Sequence, residues 1–372
     1  MNMFNDPIFQ QRPTYVEVCL ENLNNNISLI RSITNRRKIL GVVKANAYGH
    51  GLVEISNKLQ DLGIEYLGVA YIEEAVYLRK NGIHIPILVL GAVDTSQIPL
   101  YLKNDIDITG SSIETLEEIS KVSSKLKIKA KIHLKIDTGM GRIGVQWDRK
   151  EEFLKKAYSL DTIEIVGIFS HFADSIKDKE FSNKQLKRFN EVLKYIEEKY
   201  ERPKLVHMAN SGAISNSFEE SFFDMVRPGL MIYGYSLNPN IQKILKPLMT
   251  FKTKVSYFKV LEKGINIGYD RLYKTNQQTR VVTLPVGYAD GYPKSLTNKG
   301  SIYLKNNKYP VVGRVCMDQI MVDIGPNGEA YVGNEVELWG ENISLHDVSK
   351  LSDRSLWELL CSIGERVPRK YI

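Results

Sequence analysis

Eight short apolar runs, each followed by a segment of helical period, fill the first two-thirds of the chain. This alternation restricts the possible folds more than any other feature. The runs are Ile39–Val43, Tyr66–Ala70, Ile85–Leu90, Ile106–Thr109, Lys129–Ile136, Ile163–Phe169, Leu205–Met208 and Met225–Arg227. Helical patterns such as Ile72–Lys80, Ser111–Ser123 and Lys184–Tyr200 lie between them. The pattern predicts βα units and a parallel sheet. Eight units match a closed (β/α)8 barrel of the TIM type, with an open doubly wound sheet as the alternative. Thr14–Cys19 reads as one extra strand before a helix starting near Glu21.

Beyond Leu237 the texture changes. Pro239 and Pro247 mark a connection, followed by alternating runs at Thr250–Leu261, Arg280–Pro285, Gly300–Leu304, Pro310–Ile324 and Glu335–Trp339. Asn/Gly turn clusters separate these runs, which predicts an all-β region. Ser344–Cys361 has room for two short helices. The expected organisation is an α/β barrel over residues 1–237 and a mostly β domain over residues 238–372. Two domains are what a chain of 372 residues leads one to expect.

Several function classes are disfavoured. The longest mostly apolar stretch, near Ile85–Val93, falls far short of the roughly 18 residues of a membrane span. Met1–Pro13 shows no basic region followed by an apolar run, so no secretory signal is read there. Cys19, Cys316 and Cys361 form no CxxC pair, which points to a reducing cytoplasm and away from a zinc cluster. The net charge of +7 permits acidic ligands without requiring nucleic acid. The densest basic cluster, Lys125–Lys135, alternates lysine with apolar residues and reads as a half-buried strand with a solvated face.

In a barrel of this kind, chemistry sits at the C-terminal ends of the strands. The polar residues there are Lys44, then Asp137–Arg142, His171, Asn210 with Ser211, and Arg227. The set is rich in cations and hydrogen-bond donors. It has neither paired histidines at metal-ligand spacing nor a carboxylate cluster, so no metal is expected and an anionic, phosphorylated ligand is. Lys44 ends a buried strand, and two readings fit it equally. It can reach out to solvent, or it can lie desolvated among cations, where a neutral amine forms Schiff bases. Asn210 and Ser211 fit a plain helix N-cap as well as an anion site.

The run Val42-Val43-Lys44-Ala45-Asn46-Ala47-Tyr48-Gly49-His50-Gly51 resembles the cofactor-lysine motif of the alanine racemases, which use pyridoxal phosphate. Further blocks resemble that family in the same order. In the first part of the chain these are Lys135–Gly144, Ser170–Ala173, His207–Ser211 and Val226–Gly234. In the second part they are Gly268–Tyr273, Val286–Gly291, Val315–Gln319 and Arg366–Arg369. The resemblance covers nearly everything after residue 13.

The resemblance implies a homodimeric enzyme that interconverts L- and D-alanine with two bases. Lys44 would hold pyridoxal phosphate and act on one face of the substrate. Tyr269 of the other subunit would act on the opposite face, with His171 and Arg227 favouring its phenolate. Arg227 would face the pyridine nitrogen and leave it unprotonated. Tyr48, Ser211 and the N–H groups of Gly229 and Leu230 would hold the phosphate, beside Asn210. Arg142 would bind the cofactor's ring oxygen and the substrate carboxylate, and Met317 would offer that carboxylate its N–H. Tyr288 would line the substrate entrance. Lys135 matches a lysine that is carbamylated in some relatives. The implied setting is the bacterial cytoplasm, with D-alanine going to peptidoglycan, and no nucleic-acid or membrane partner.

Two positions depart from the family pattern. Glu365 stands where some members have a tyrosine near the phosphate, which leaves one hydroxyl contact open. Asp270 stands where many have glycine, and a carboxylate pointing inward there would disfavour the phenolate. His50, His84, His133 and His346 carry no assigned role. The competing readings are a racemase of broader range, a pyridoxal-phosphate-binding protein without catalysis, and a basic-amino-acid decarboxylase. A decarboxylase of this fold would place Glu where Arg227 stands.

Overall fold

The computed structural model describes residues 7–372; residues 1–6, part of the opening segment read as free of a secretory signal, lie outside the described residues. The chain divides into two compact units. One comprises Leu23–Ala47 and Gly51–Lys246, the other the described residues through Asn22, Tyr48–His50 and Pro247–Ile372. The expected break at residue 237/238 therefore falls about nine residues later, at Lys246/Pro247. Strands are numbered in chain order, and β1 (Tyr15–Val18) belongs to the second unit. It pairs antiparallel with β11 (Met249–Lys254) and parallel with β20 (Arg369–Tyr371). The extra strand expected at Thr14–Cys19 thus exists, but the β-rich unit claims it.

The first unit is the barrel. Its strands are β2 (Lys38–Val42), β3 (Tyr66–Val69), β4 (Ile87–Val89), β5 (Ile108–Gly110), β6 (Ala130–Asp137), β8 (Ile163–Phe169), β9 (Leu205–Asn210) and β10 (Met225–Arg227). A short β7 (Val145–Gln146) pairs with the end of β6. All eight run parallel in the order β4-β3-β2-β10-β9-β8-β6-β5. The two ends of that order meet at a seam. Leu88 pairs with Asp107, whose N–H donates to Ile87 O at 2.9 Å and whose C=O accepts from Val89 N at 3.2 Å. The sheet closes on itself, and the open doubly wound alternative is excluded.

β3, β4 and β5 are buried throughout, as expected for parallel strands covered by helices on one side and barrel contents on the other. The helix Ile72–Lys80 buries Ile72, Ala75 and Leu78, three residues apart on one stripe. The helix Ile113–Leu126 starts where the Ser112 hydroxyl accepts the Thr115 N–H, and it buries Leu116 and Ile119. Each such leucine or isoleucine contributes about 1.5–3 kcal/mol by leaving water.

The basic cluster Lys125–Lys135 departs from expectation. Lys125 lies in the last turn of the helix Ile113–Leu126, and Lys127 takes left-handed backbone beyond it. Only the second half is a strand. The middle of its polar face is not solvated: Lys131, His133, Lys135 and Asp137 alternate with residues packed outward, and His133 and Lys135 are buried while Lys131 and Asp137 at the two ends are half-buried. In a closed barrel the alternate face of a strand points into the lumen, so a polar stripe there becomes interior.

The second unit is mostly antiparallel. Its nine strands run in the order β12-β15-β18-β17-β16-β19-β11-β1-β20. They include β12 (Tyr257–Leu261), β15 (Thr279–Leu284), β16 (Ser301–Leu304), β17 (Asn307–Val312), β18 (Ile320–Gly325) and β19 (Glu335–Trp339), with a separate ribbon of β13 (Asn266–Ile267) and β14 (Tyr273–Lys274). Two expected long strands each split. Thr250–Leu261 breaks at Val255-Ser256, where the chain changes partner from β19 to β15. Pro310–Ile324 breaks at the loop Gly313–Gln319. The two short helices expected in Ser344–Cys361 are Leu345–Ser352 and Leu356–Cys361.

Candidate active site

At the C-terminal ends of the barrel strands, Arg227 is the centre of a buried polar group. Its Nη2 donates to Ser170 O at 2.7 Å and Met208 O at 3.0 Å, and meets His171 Nδ1 at 3.2 Å. Its Nη1 donates to His207 Nδ1 at 3.0 Å. The guanidinium also lies over the Phe169 ring, 5.3 Å from its centroid. Burial pulls Arg227 down to about 9, so it stays cationic at neutral pH. Burial and then the Arg227 charge hold His171 and His207 well below the ordinary imidazole range. Both are neutral acceptors toward Arg227. Lys135, Arg142 and Lys44 also depress His171, so four cations act on this one ring.

Lys44 stands two residues beyond the last residue of β2 and is half-buried. The next four residues, Ala45 to Tyr48, all hold φ between 51° and 54°. This is a left-handed turn built without glycine, a conformation that costs roughly 1–2 kcal/mol per residue. Glu74 anchors its first amide, accepting from Ala45 N at 2.7 Å with one oxygen and from Ala70 N at 2.8 Å with the other. Asn46 closes it from the other side, its Oδ1 accepting from Leu52 N at 2.8 Å. Strain of this kind persists only where neighbours over-determine it, and here it fixes the backbone around the lysine. Neither Glu74 nor the turn was visible in the motif, because helix and strand periods do not report left-handed backbone.

The Asp137–Gly144 loop is folded around one carboxylate. Asp137 Oδ1 accepts from Gly139 N and Met140 N, both at 2.8 Å, and Oδ2 accepts from Gly141 N at 2.9 Å. Arg188 braces the loop through Thr138 O at 2.8 Å. Arg142 is exposed on it. Gly144 has φ +105°, and a Cβ there would stand 2.7 Å from Lys135 Cγ and 2.8 Å from Lys135 O. Lys135 lies beneath, 2% exposed, its Nζ donating to Ile136 O at 3.0 Å and lying 5.1 Å from the Phe169 ring centroid. Burial, with the charge of Arg227 next, lowers Lys135 from 10.5 to about 7.

After β9, Asn210 caps the helix Ser211–Ser215, its Oδ1 accepting from Ala213 N at 3.1 Å and from Ser175 Oγ at 2.7 Å. Ser211 Oγ accepts from Gly229 N at 2.9 Å and Met231 N at 3.3 Å. With two amides on its oxygen, the Ser211 hydroxyl has its own proton left to donate. The structure therefore brings Ser211 and Gly229 together, and adds Met231, which the sequence did not single out. Leu230 is buried in the same turn, its C=O accepting from Tyr233 N at 3.1 Å.

The remaining predicted residues lie in the β-rich unit. Tyr48 is buried there, and burial holds its phenol protonated, well above the ordinary range. Tyr269, Tyr288 and Met317 are exposed. Gly287 carries no side chain because a Cβ would overlap the carbonyl oxygens of Cys316 and Met317. Tyr288 N donates to Cys316 O and Ala289 N to Met317 O, each at 3.1 Å, so Tyr288 and Met317 sit side by side. Asp270 adopts φ +55° beside Tyr269, which explains why a glycine suits that position and an aspartate tolerates it. Its carboxylate is engaged by Arg314 at 2.6 Å. Glu365 is exposed.

Comparison with known proteins covers both units. Residues 18–237 match the family model described as alanine racemase, N-terminal domain, and residues 248–371 match alanine racemase, C-terminal domain. The chain is 41% identical over 370 residues to alanine racemase 2 of Caldanaerobacter subterraneus subsp. tengcongensis, covering 97% of this chain and 95% of that protein. It is similar to the solved alanine racemase of Clostridium difficile 630, with a TM-score of 0.92, 35% identity, and coverage of 97% and 96%. The solved structure from Bartonella henselae, described with covalently bound pyridoxal phosphate, has a TM-score of 0.89 at 29% identity, with coverage of 97% and 99%.

Proposed function

The chain belongs to the alanine racemase family, and from that premise we propose that it interconverts L- and D-alanine with pyridoxal phosphate as cofactor. The observation that carries this reading is the cationic cluster at the barrel mouth. Lys44, Arg142 and Arg227 all bear on His171, whose Nδ1 lies 3.2 Å from Arg227 Nη2, and the Ser211 hydroxyl is set to donate. Such a donor set fits an anionic, phosphorylated group. When bound, pyridoxal phosphate supplies an electron sink for the pair left when Cα loses its proton.

The residues then divide the work. Lys44 holds the cofactor and moves a proton on one face of Cα. Tyr269 from a partner subunit moves a proton on the other face, which makes the active form a homodimer. Arg227 would face the ring nitrogen as a hydrogen-bond donor and would keep its proton. Tyr48, Ser211, Gly229 and Leu230 serve the phosphate, with Asn210 bracing them. Arg142 and the Met317 N–H orient the substrate carboxylate, and Tyr288 narrows the approach. The exposure of Tyr269, Tyr288 and Met317 on the β-rich unit supports a role outside their own unit. The setting we assign is the bacterial cytoplasm, with D-alanine passing to peptidoglycan.

The test is direct. The purified protein, saturated with pyridoxal phosphate, is given L-alanine or D-alanine and sampled by chiral separation. Both runs should end at equal amounts of the enantiomers, and L-serine should react more slowly. Bound cofactor with no second enantiomer formed from alanine would sink the assignment. Lys135 extends the proposal. An amine near 7 is partly neutral and nucleophilic, and with CO2 it forms a carbamate that releases a proton. In 13CO2-equilibrated buffer, a slowly exchanging carbamate carbon should appear in the intact protein and be absent in Lys135→Gln.

A further inference from the structure

The lumen of the barrel holds a continuous hydrogen-bonded chain that runs from the seam to Arg227. At the seam, Asp107 Oδ2 accepts from Tyr66 OH at 3.0 Å and lies 3.2 Å from His133 Nε2. His133 Nδ1 lies 2.9 Å from His207 Nε2, and His207 Nδ1 lies 3.0 Å from Arg227 Nη1. Asp107, His133, His207 and Arg227 are all buried. The rings are held from the side as well. His207 stacks on Phe169 at 4.9 Å and 4°, while His133 meets Tyr66 edge-on at 5.7 Å and 74°.

Only one placement of protons satisfies every bond. An arginine donates and never accepts, so His207 Nδ1 is bare. His207 is neutral and carries its proton on Nε2, which donates to His133 Nδ1. That atom is then bare too, and His133 carries its proton on Nε2, directed at the Asp107 carboxylate. A further proton on either ring would set two N–H groups face to face. The middle of the chain is therefore neutral and its ends are charged, a carboxylate at the seam and a guanidinium at the mouth. Bonds polarised in this sense strengthen one another. Among the described residues, Arg227 Nη2 is shared among three acceptors, whereas Nη1 is held by His207.

We infer that Asp107 is a positioning residue for Arg227, acting through His133 and His207 to hold Nη1 against a fixed acceptor at the barrel mouth. Its effect on turnover rests on the racemase reading, in which Arg227 faces the cofactor. The proton pattern does not depend on that reading.

The first test uses the unsubstituted protein, labelled with 15N-histidine and observed by NMR with and without pyridoxal phosphate. The chain has six histidines, and His133→Gln and His207→Gln assign the two that matter. Both should show a protonated Nε2 and a bare Nδ1 at neutral pH, where Arg227 is a donor. The second test is Asp107→Asn, which keeps size and an acceptor and removes the charge. Losing a charge-assisted bond should lower kcat for alanine about tenfold with KM nearly constant, and shift the His207 ring signals. Tyr66→Phe removes a bond to the same oxygen and keeps the charge, so its loss should be clearly smaller.

Protonated Nδ1 on either ring, or an Asp107→Asn protein with unchanged His207 signals and kcat, would overturn the inference. Equal losses in Asp107→Asn and Tyr66→Phe would overturn it too, since packing would then explain both. An intact protein that racemises no alanine but shows the expected proton pattern, with His207 signals moving in Asp107→Asn, would overturn the racemase reading and support the positioning role.

Discussion

Lys135 is a lysine that folding makes a weaker base, and the consequence is measurable at one residue. Its amine falls from 10.5 to about 7, chiefly because burial penalises the charged form. Below about 7 both folded and unfolded chains carry the proton, and the folded chain bears the full penalty. Between about 7 and 10.5 the unfolded chain still holds a proton that the folded chain has released, so stability rises with pH through that window. Lys135→Met should therefore stabilise the protein by about 2–4 kcal/mol near pH 6, and by progressively less toward pH 10. Urea unfolding in CO2-free buffer checks this, and an advantage independent of pH would contradict it. The same neighbourhood constrains Gly144. Gly144→Ala should cost about 2–4 kcal/mol by pressing a methyl into Lys135, readable as a lower urea midpoint at unchanged slope. At this scale the motifs exposed Lys44, Arg142, His171 and Arg227, because their chemistry is carried by residue type. They did not expose Glu74, Asp107 or His133, whose importance comes only from what lies opposite them.

Among elements, the left-handed turn after Lys44 is the most informative. Four L-residues in succession adopt backbone that glycine would take freely. Ala45 is exposed, so replacing it by glycine creates no cavity. Ala45→Gly should stabilise the protein by about 0.5–1 kcal/mol, the reverse of its effect in an ordinary helix. Chemical denaturation distinguishes the two signs, and a loss of stability would remove strain from the account of this turn. The strand β6 shows a different limit of sequence. Period two was legible in Lys129–Ile136, and it correctly marked a strand. Which face meets water was not legible, because period alone does not say whether a sheet is open or closed. Likewise, continuous alternation over Thr250–Leu261 and Pro310–Ile324 concealed two breaks. A chain that changes partner strand keeps its apolar pattern, so pairing and not period decides where a strand ends.

For the whole molecule, the proposed dimer makes a prediction that no single chain can satisfy. A Lys44→Ala protein lacks one base and a Tyr269→Phe protein lacks the other. If each site takes its lysine from one subunit and its tyrosine from the partner, mixing the two inactive proteins after dissociation restores one intact site per mixed dimer. Random reassortment should recover about a quarter of the intact activity. Recovery near zero would place both groups on one chain. Within the described residues, no helix is long and apolar enough to cross a membrane.

The eight βα units, the β-rich second part, the family and the cationic character of the site were all legible in the amino-acid order. Each of these is local or additive: apolar period, turn residues and charge are properties of neighbours along the chain. The tertiary structure alone decided that β1 joins the β-rich unit, that Asp107 closes the barrel seam, and that the polar stripe of β6 lies in the lumen. It also brought His133 and His207 into line between Asp107 and Arg227. Those outcomes depend on pairs such as Leu88 with Asp107 and His133 with His207, far apart in sequence and brought together only when the barrel closes.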